Sequence, residues 1–262
     1  MTITPVNENT VMVYLADQTS PETADQIAAL LPLLRARLGN CLIDLVPSYT
    51  SILISFDLMA IGLRDFTQQL KRLLNEAKQQ QHQHSPSPLI ELPVYYGPEV
   101  ALDADELCRH TGLAFGQIID IHASTLYRVY AIGFAPGFAY LGNTDPRLHI
   151  ARKQTPRAKV PAGSLALADQ QTAIYPKASP GGWQIIGRTP VDLIDYQREN
   201  LTLFEMGAQV RFTPISRAQF LELGGVITAE EAALAARSKQ TDVSANTSAR
   251  NTRRERGIRE VA

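Results

Sequence analysis

The residues best suited to chemistry are concentrated between Gly133 and Arg188, where glycine, proline, arginine and aromatic residues alternate with little else. Proline restricts φ and glycine accepts positive φ, so each Pro-Gly step in this stretch predicts a tight, well-defined turn. Turns of this kind beside arginines and aromatic rings favour the walls of a binding site on a β scaffold over an ordinary solvent loop. The stretch therefore predicts a small-molecule site built from bends between short strands.

The cations of this stretch suit a ligand that carries a carboxylate or a phosphate. The planar guanidinium group of arginine binds either anion through two parallel hydrogen bonds. We therefore assign Arg157, Lys159 and Arg188 as substrate-binding candidates. A structural role, in which Arg157 and Arg188 bind loop carbonyls, is equally compatible with the sequence.

Ser164 and three aromatic residues are the neutral candidates for the same site. Ser164 follows Ala162-Gly163 at the start of a predicted strand, where its hydroxyl can bind substrate. It does not lie in a G-x-S-x-G elbow, so the sequence argues against a serine nucleophile. Large aromatic groups can wall a flat ring such as a lactam, or they can be plain barrel core. The aromatic candidates are Phe138, Tyr175 and Trp183.

His122 is the candidate general acid or base. It closes a predicted helix just before a predicted strand, and histidine is the side chain that titrates nearest neutral pH. The alternative is a histidine that caps or packs the helix end without touching substrate.

Several motifs are absent from the chain. There is no G-x-x-x-x-G-K-[ST] phosphate loop and no G-x-G-x-x-G dinucleotide turn. There is no Met-Lys-Met segment, so we predict no covalently attached biotin. No zinc-type spacing of cysteine and histidine occurs, and we predict no metal site. Any ATP would therefore bind at a non-standard site.

Composition restricts the class of protein. The 262 residues carry a formal net charge of −1, which does not suit nucleic acid or an anionic membrane. No basic start with a long apolar run marks a signal peptide, and no window has the roughly eighteen apolar residues of a membrane span. Cys41 and Cys108 lie far apart, so we predict free thiols. These features predict a soluble, cytoplasmic protein.

The elements of the first part alternate between strands and amphipathic helices. The first helix has Ser20 as its N-cap and ends at Gly39, and Pro32 inside it predicts a kink or two short helices. The order β-α-β-β-α indicates a split βαβ layer, with a strand at 89–96 as the candidate that completes it. The predicted strands lie at 11–16, 41–46 and 51–56, and the predicted helices at 20–39 and 63–74.

A polar, low-complexity stretch at 79–88 predicts a linker, and the sequence pattern changes after it. Short strands separated by proline and glycine favour a closed or nearly closed β barrel. Near the end, Thr228-x-x-Glu231 is a capping box that predicts a helix start. The tail at 238–262 has a net charge of +3 and no aromatics, so we predict disorder. Predicted helices lie at 103–109, 114–122, 216–223 and 228–237, and predicted strands at 127–132, 164–168, 172–175, 183–188 and 210–214.

The motifs from Leu92 onward resemble the family of the 5-oxoprolinase B subunit, also known as allophanate hydrolase subunit 1 or the Kip-type kinase inhibitor family. The motifs occur in the family's order and at similar spacing, and the resemblance covers approximately Thr10 to Ile215. They are Leu92-Pro93-Val94-Tyr95-Tyr96-Gly97, Ile121-His122, Gly133-Phe134-Ala135-Pro136-Gly137-Phe138-Ala139-Tyr140-Leu141, Pro156-Arg157, Val160-Pro161-Ala162-Gly163-Ser164, Ile174-Tyr175-Pro176, Ser179-Pro180-Gly181-Gly182-Trp183 and Arg188-Thr189-Pro190.

The resemblance implies an α+β fold with a small, ferredoxin-like α/β domain followed by a cyclophilin-like β barrel. On this basis we divide the chain into the small domain at 1–84, the barrel at 85–225, and a C-terminal helix with a basic tail at 226–262.

The resemblance also implies one component of an ATP-dependent 5-oxoprolinase that opens 5-oxoproline to L-glutamate. Its implied partners are the homologous barrel protein, which is the C component of that enzyme, and a LamB/YcsF-type protein, which is the A component. We expect the chain to be inactive or nearly so alone, with ATP at a site shared with the barrel partner. Two alternatives remain: inhibition of a sensor histidine kinase, and a carboxyltransferase role in a biotin-dependent urea carboxylase system.

Overall fold

The computed structural model describes residues 1–79, 89–197, 200–233 and 235–236. The predicted linker beyond Gln79 and the predicted disordered tail at 238–262 lie outside the described residues. Within them, no helix combines the length and apolar character needed to cross a bilayer. The cysteines are free thiols as predicted, with Cys41 buried and Cys108 half-buried.

The chain forms a mixed α/β structure in which most strand pairs are antiparallel. A 3-10 turn lies at Pro146–Leu148, and residues 229–233 are helical. The strands are β1 (Thr2–Asn7), β2 (Thr10–Tyr14), β3 (Leu42–Ser48), β4 (Ser51–Phe56), β5 (Leu89–Val94), β6 (Tyr127–Ile132), β7 (Ala139–Gly142), β8 (Arg157–Val160), β9 (Ser164–Ala168), β10 (Gln171–Ile174), β11 (Ser179–Gly181), β12 (Gln184–Arg188) and β13 (Gln209–Pro214). The helices are α1 (Pro21–Leu38), α2 (Leu63–Gln79), α3 (Ala104–Thr111), α4 (Phe115–Ser124) and α5 (Arg217–Glu222).

Helix α1 begins and ends where its sequence predicts. The Ser20 hydroxyl accepts a hydrogen bond from the Thr23 amide at 3.2 Å, which satisfies one of the free donors of the first turn. The helix continues unbroken through Pro32, so the prediction of two short helices is wrong. Ile27 before the proline and Leu34 after it are both buried in the same core cluster. That shared burial holds the two halves in one helix despite the missing amide.

The first part of the sheet has the order β1-β2-β4-β3, with every pair antiparallel. Because β4 lies between β2 and β3, the predicted split βαβ connection is confirmed. The prediction that a strand at 89–96 completes this layer is wrong. The edge beside β2 is taken by β1, which forms a hairpin with it, and β5 pairs in parallel with β13 instead. A ferredoxin-like arrangement stays a prediction.

The sheet continues into the second part through one pair, Ser48 with Ala131. From β6 it runs through β7, β10 and β9 to β12, while β13 pairs with both β6 and β5. Tyr95, just beyond β5, forms an isolated bridge to Arg188, with two backbone hydrogen bonds of 2.8 Å. In the described part of the chain, β12 and β5 are connected by this bridge and not by a regular ladder of hydrogen bonds. The cyclophilin-like barrel therefore stays a prediction.

Two large apolar clusters stabilise the two parts. One contains β2, β4, α1 and α2 residues, including Phe56 and Phe66, whose rings stack at 4.1 Å. The other contains residues of β5, β6, β9 and β13, including Tyr127 and Phe212. The predicted domain boundaries, at 84/85 and 225/226, stay predictions.

Candidate functional site

The glycine-rich bends bring the ends of β9, β10 and β12 together. Gly163 has φ +75°, and a Cβ atom there would lie 2.5 Å from the Thr189 carbonyl oxygen. Its amide donates to the Tyr175 carbonyl at 2.7 Å, and the Thr189 amide donates to the Gly163 carbonyl at 2.9 Å. Only glycine combines this backbone conformation with this close approach. The predicted positive-φ turn is therefore confirmed here and at Gly137.

These bends form one wall of a cavity of about 670 Å³. Residues 161–163 and 188–193 line it on the side of the sheet, and Lys159 lies at its edge. The facing wall comes from α5 and from residues 224–233, which we call the C-terminal strap. The strap contributes Val226, Thr228 and Glu231, so the cavity lies between the predicted binding stretch and a segment in which the sequence marks only a helix start.

Arg188 lies in this cavity with its charge already paired. Its side chain is 7% exposed, and its Nη2 atom lies 2.5 Å from Oε1 of Glu231. Its Nη1 atom donates to Oε2 of Glu231 at 3.3 Å and to the Val226 carbonyl at 3.0 Å. The Nε–H group is buried and has no partner among the described residues. Arg188 is thus a guanidinium bound end-on by an internal carboxylate, and within the described residues its Nε–H group is left unpaired.

Glu231 is held in place by its own helix start. The predicted capping box is present, because the Thr228 amide donates to Oε2 of Glu231 at 2.8 Å and the Glu231 amide donates to the Thr228 hydroxyl at 3.2 Å. Burial tends to raise the pKa of Glu231, but the hydrogen bonds from Arg188 and from the Thr228 amide outweigh it, so its pKa is lowered. The carboxylate is charged at neutral pH.

Lys159 and Ser164 are the other predicted residues near Arg188. Lys159 is exposed, and its ammonium group has no partner among the residues that the structure describes. Ser164 lies directly opposite Arg188 in the antiparallel pair of β9 and β12, so both side chains point to the same face. The Ser164 hydroxyl is buried and lacks a partner in that same part of the chain.

Arg157 is paired elsewhere. Its two Nη atoms donate to the two carboxylate oxygens of Asp103, each at 2.7 Å. Asp103 also accepts from Lys153 at 2.8 Å and from the Ile185 amide at 2.7 Å. Burial tends to raise the pKa of Asp103, but these hydrogen bonds outweigh it and lower the pKa. The buried Asp103 carboxylate thus joins the start of α3 to β8 through Arg157 and to β12 through the Ile185 amide, and this location of Arg157 supports the structural alternative.

The three aromatic candidates pack against one another. The Phe138 ring lies 5.5 Å from Tyr175 and 5.8 Å from Trp183, in edge-to-face contacts. Their exposures are 2%, 2% and 5%. They belong to a third apolar cluster, with Val160 and Ile185, and they do not line the cavity. This packing supports the core alternative for all three residues, because buried rings that pack against one another are not accessible to a ligand.

His122 is fully buried. Its Nδ1 atom lies 3.1 Å from the Tyr96 hydroxyl, its Nε2 atom lies 3.0 Å from the Thr172 hydroxyl, and its ring stacks on Phe212. Burial lowers the pKa of His122 to about 3, so the ring is neutral near pH 7. This location contradicts the proposed acid/base role, since a proton carrier must reach substrate or water. His122 is a core residue that satisfies two hydroxyls.

Two carboxylates that bind the predicted arginines are not revealed as such by the sequence. Glu231 is marked there only as half of a capping box, and Asp103 only as the start of a short helix. Nothing in their local sequence indicates the arginine that each one binds. Among the described residues, no group of three or more histidine, cysteine or acidic side chains could hold a metal ion.

Comparison with known proteins identifies a matching family model and two relatives that bear the same name. The model of the carboxyltransferase domain, subdomain C and D, matches residues 1–204. The chain is 36% identical to the 5-oxoprolinase B subunit of Bacillus subtilis (strain 168) over 186 residues, covering 68% of this chain and 78% of that protein. It is 34% identical to the 5-oxoprolinase B subunit of Haemophilus influenzae over 212 residues, covering 81% of this chain and 97% of that protein.

Solved structures show the same fold in larger proteins. TTHA0988 matches with a TM-score of 0.68 and 32% identity, over 80% of this chain and 40% of that one. The chain thus spans less than half the length of that structural relative. The urea carboxylase of Kluyveromyces lactis matches with a TM-score of 0.62 at 18% identity, over 82% of this chain and 22% of that one. The second likeness shows a shared fold alone.

Proposed function

The chain belongs to the carboxyltransferase domain, subdomain C and D family, and on this premise we propose that it is the B subunit of a 5-oxoprolinase. The enzyme would open the lactam ring of 5-oxoproline to L-glutamate with ATP. The observation that carries the proposal is identity of 36% and 34% to two proteins that bear the name of that B subunit, one of which is covered over 97% of its length. We also propose that the first part is ferredoxin-like and that the second is a cyclophilin-like β barrel.

The cavity beside Arg188 is the site that suits this substrate. 5-Oxoproline is a flat five-membered lactam with one carboxylate, and the volume of about 670 Å³ lies within the range of small-molecule pockets. Arg188 supplies a planar guanidinium for the carboxylate, and Lys159 supplies a second cation at the rim. In the proposal these two residues bind and orient the substrate. Ser164 adds a hydroxyl beside Arg188.

The same cavity does not fit the triphosphate of ATP on this chain alone. Two cations, Lys159 and Arg188, line it together with three acids, Asp192, Glu230 and Glu231. A triphosphate needs an excess of positive charge or a metal ion to offset its own charge. These residues by themselves therefore do not account for binding of a triphosphate. We propose that ATP binds at a site completed by the homologous barrel partner, that a LamB/YcsF-type protein is the third component, and that no biotin is attached to this chain.

The two alternative functions gain no specific support. Likeness to urea carboxylase at 18% identity establishes a fold and no substrate. Inhibition of a histidine kinase has no counterpart in the contacts of the described residues. Both alternatives stay predictions from the family resemblance.

Reconstitution tests the proposed function. The chain alone is expected to form neither ADP nor glutamate from ATP and 5-oxoproline, whereas the assembly of all three components forms both. Amino-acid analysis and a coupled ADP assay measure the two products. Turnover by the isolated chain would refute the shared site, and an assembly that forms no glutamate would refute the function.

A substitution at the cavity rim tests the site within that assembly. Lys159→Ala removes one charge-assisted contact, which is worth about 1.5–3 kcal/mol, so KM for 5-oxoproline should rise by roughly tenfold or more. Lys71→Ala, on the exposed face of α2, is the matched control and should leave KM unchanged. Equal KM values for the two variants would remove Lys159 from the site.

A further inference from the structure

The C-terminal strap closes the cavity over Arg188, and it lies outside the part of the chain that the family model matches. That match ends at residue 204, whereas the strap comprises residues 224–233. Its Glu231 carboxylate lies directly on the Arg188 guanidinium. Glu231 therefore occupies the place that a ligand carboxylate would take at this arginine.

The geometry of this pair leaves Arg188 incompletely satisfied. Glu231 approaches the two Nη atoms from the end of the side chain, and the buried Nε–H group stays without a partner among the described residues. The capping box with Thr228 restrains the Glu231 carboxylate in that position. A free carboxylate has no such restraint, so once the strap has opened it can bind the two Nη atoms that Glu231 held, or Nε and one Nη, through two parallel hydrogen bonds. The unpartnered Ser164 hydroxyl points to the same face and can donate to it.

The strap buries little of its surface against the rest of the protein. Every residue from 224 to 233 is half-buried or exposed, and Val226 is 67% exposed. Gly224, with φ +87°, and Gly225 join the strap to α5. Ile227 contributes partial packing against Tyr95 and Phe220. With so little buried apolar surface, the strap is held chiefly by the Arg188–Glu231 pair, and a ligand carboxylate on Arg188 would replace that pair when the strap opens.

From these observations we propose that Arg188 is a binding site for the carboxylate of a small ligand, that Glu231 is its resident competitor, and that ligand binding displaces the strap. The identification of the ligand as 5-oxoproline rests on the proposed function, whereas the carboxylate chemistry rests on the geometry alone. While Glu231 holds Arg188, only the fraction of molecules with an open strap is competent to bind, and the apparent affinity falls by that fraction.

Calorimetric titration of the full chain tests the competition. Glu231→Gln should bind 5-oxoproline about tenfold more tightly than the wild type, because the competing charge is gone. 5-Oxoprolinamide, which lacks the carboxylate, should show no gain. Glu222→Gln is the matched control, since Glu222 is an exposed acid at the end of α5 that does not line the cavity, and it should leave both affinities unchanged. An unchanged affinity for 5-oxoproline, or an equal gain for the amide, overturns the proposal.

Three further measurements complete the test. If Glu231→Gln is destabilised, added carboxylate should raise its Tm by more than that of the wild type, and equal shifts overturn the proposal. In the wild type, saturating 5-oxoproline or acetate should accelerate hydrogen exchange at residues 224–233, and unchanged protection there would overturn displacement of the strap. Tighter binding of acetate by Glu231→Gln with no preference for 5-oxoproline supports the carboxylate site while counting against the proposed function.

Discussion

Removing the Asp103 carboxylate should destabilise the protein strongly. Its side chain is 2% exposed and accepts hydrogen bonds from Arg157, Lys153 and the Ile185 amide. In Asp103→Ala the guanidinium, the ammonium and a buried amide lose their shared partner. Breaking a buried ion pair from one side costs about 3–5 kcal/mol, because the remaining charge is left uncompensated. We expect the free energy of unfolding to fall by that amount.

Urea unfolding followed by circular dichroism measures the loss. With a slope of about 2.5 kcal/mol per molar urea, the midpoint should fall by roughly 1–2 M. Asp105→Ala is the matched control, since Asp105 is an exposed acid in the first turn of the same helix and its loss should cost less than about 0.5 kcal/mol. A double-mutant cycle of Asp103→Ala with Arg157→Ala should show strong coupling between the two sites.

The pH dependence of this contribution has a defined sign. The pKa of Asp103 is lowered in the folded protein, so its stabilisation is present above the unfolded pKa of about 3.9 and is lost as pH falls through the folded pKa. The difference between the wild type and Asp103→Asn should therefore persist at pH 5–7 and shrink below pH 4. If Asp103→Ala is no less stable than Asp105→Ala, the network does not anchor α3 and the reasoning fails.

Two further predictions concern the core histidine and one bend. Because the pKa of His122 is about 3 in the folded state, the unfolded chain alone gains a proton below pH 6.5, and stability should fall by about 1.4 kcal/mol per pH unit between pH 6 and 4. His122→Phe should lose this component in urea unfolding at several pH values; an identical pH slope would contradict the assignment. Gly163→Ala should destabilise more than Gly112→Ala in thermal unfolding. Both glycines have positive φ, where a residue with a side chain costs about 1–2 kcal/mol. Only at Gly163 would the added Cβ also meet backbone, namely the Thr189 carbonyl. Equal losses would show that the close approach relaxes without cost.

Much of the fold could be predicted from short-range patterns. The Ser20 cap, the end of α1 near Gly39, and the strands β4, β6 and β9 lie where the sequence predicts them. Strands β1, β7, β8 and β11 are not predicted. Three of them are only three or four residues long, and β1 is almost entirely exposed, so neither length nor alternation of apolar residues marks them.

The candidate site could be predicted only in part. Lys159 and Arg188 do line one cavity, as expected for a ligand site. Arg157 has the same residue type and the same setting of proline and small residues, yet it is bound to Asp103. His122 is a plausible acid or base by sequence, but its burial removes that role. Local sequence reveals neither the burial of a polar side chain nor its distant partners, and the two together decide whether that side chain serves structure or a ligand.

Caps, turns and helix limits are determined by the sequence itself, because each depends on covalent geometry and on hydrogen bonds between residues a few positions apart. The partners of the two arginines were decided only by the tertiary structure. Arg157 meets an acid 54 positions away, and Arg188 meets one 43 positions away. A charged side chain can be buried only beside an opposite charge; without one it stays in water. Which carboxylate is available to an arginine depends on how distant segments fold together.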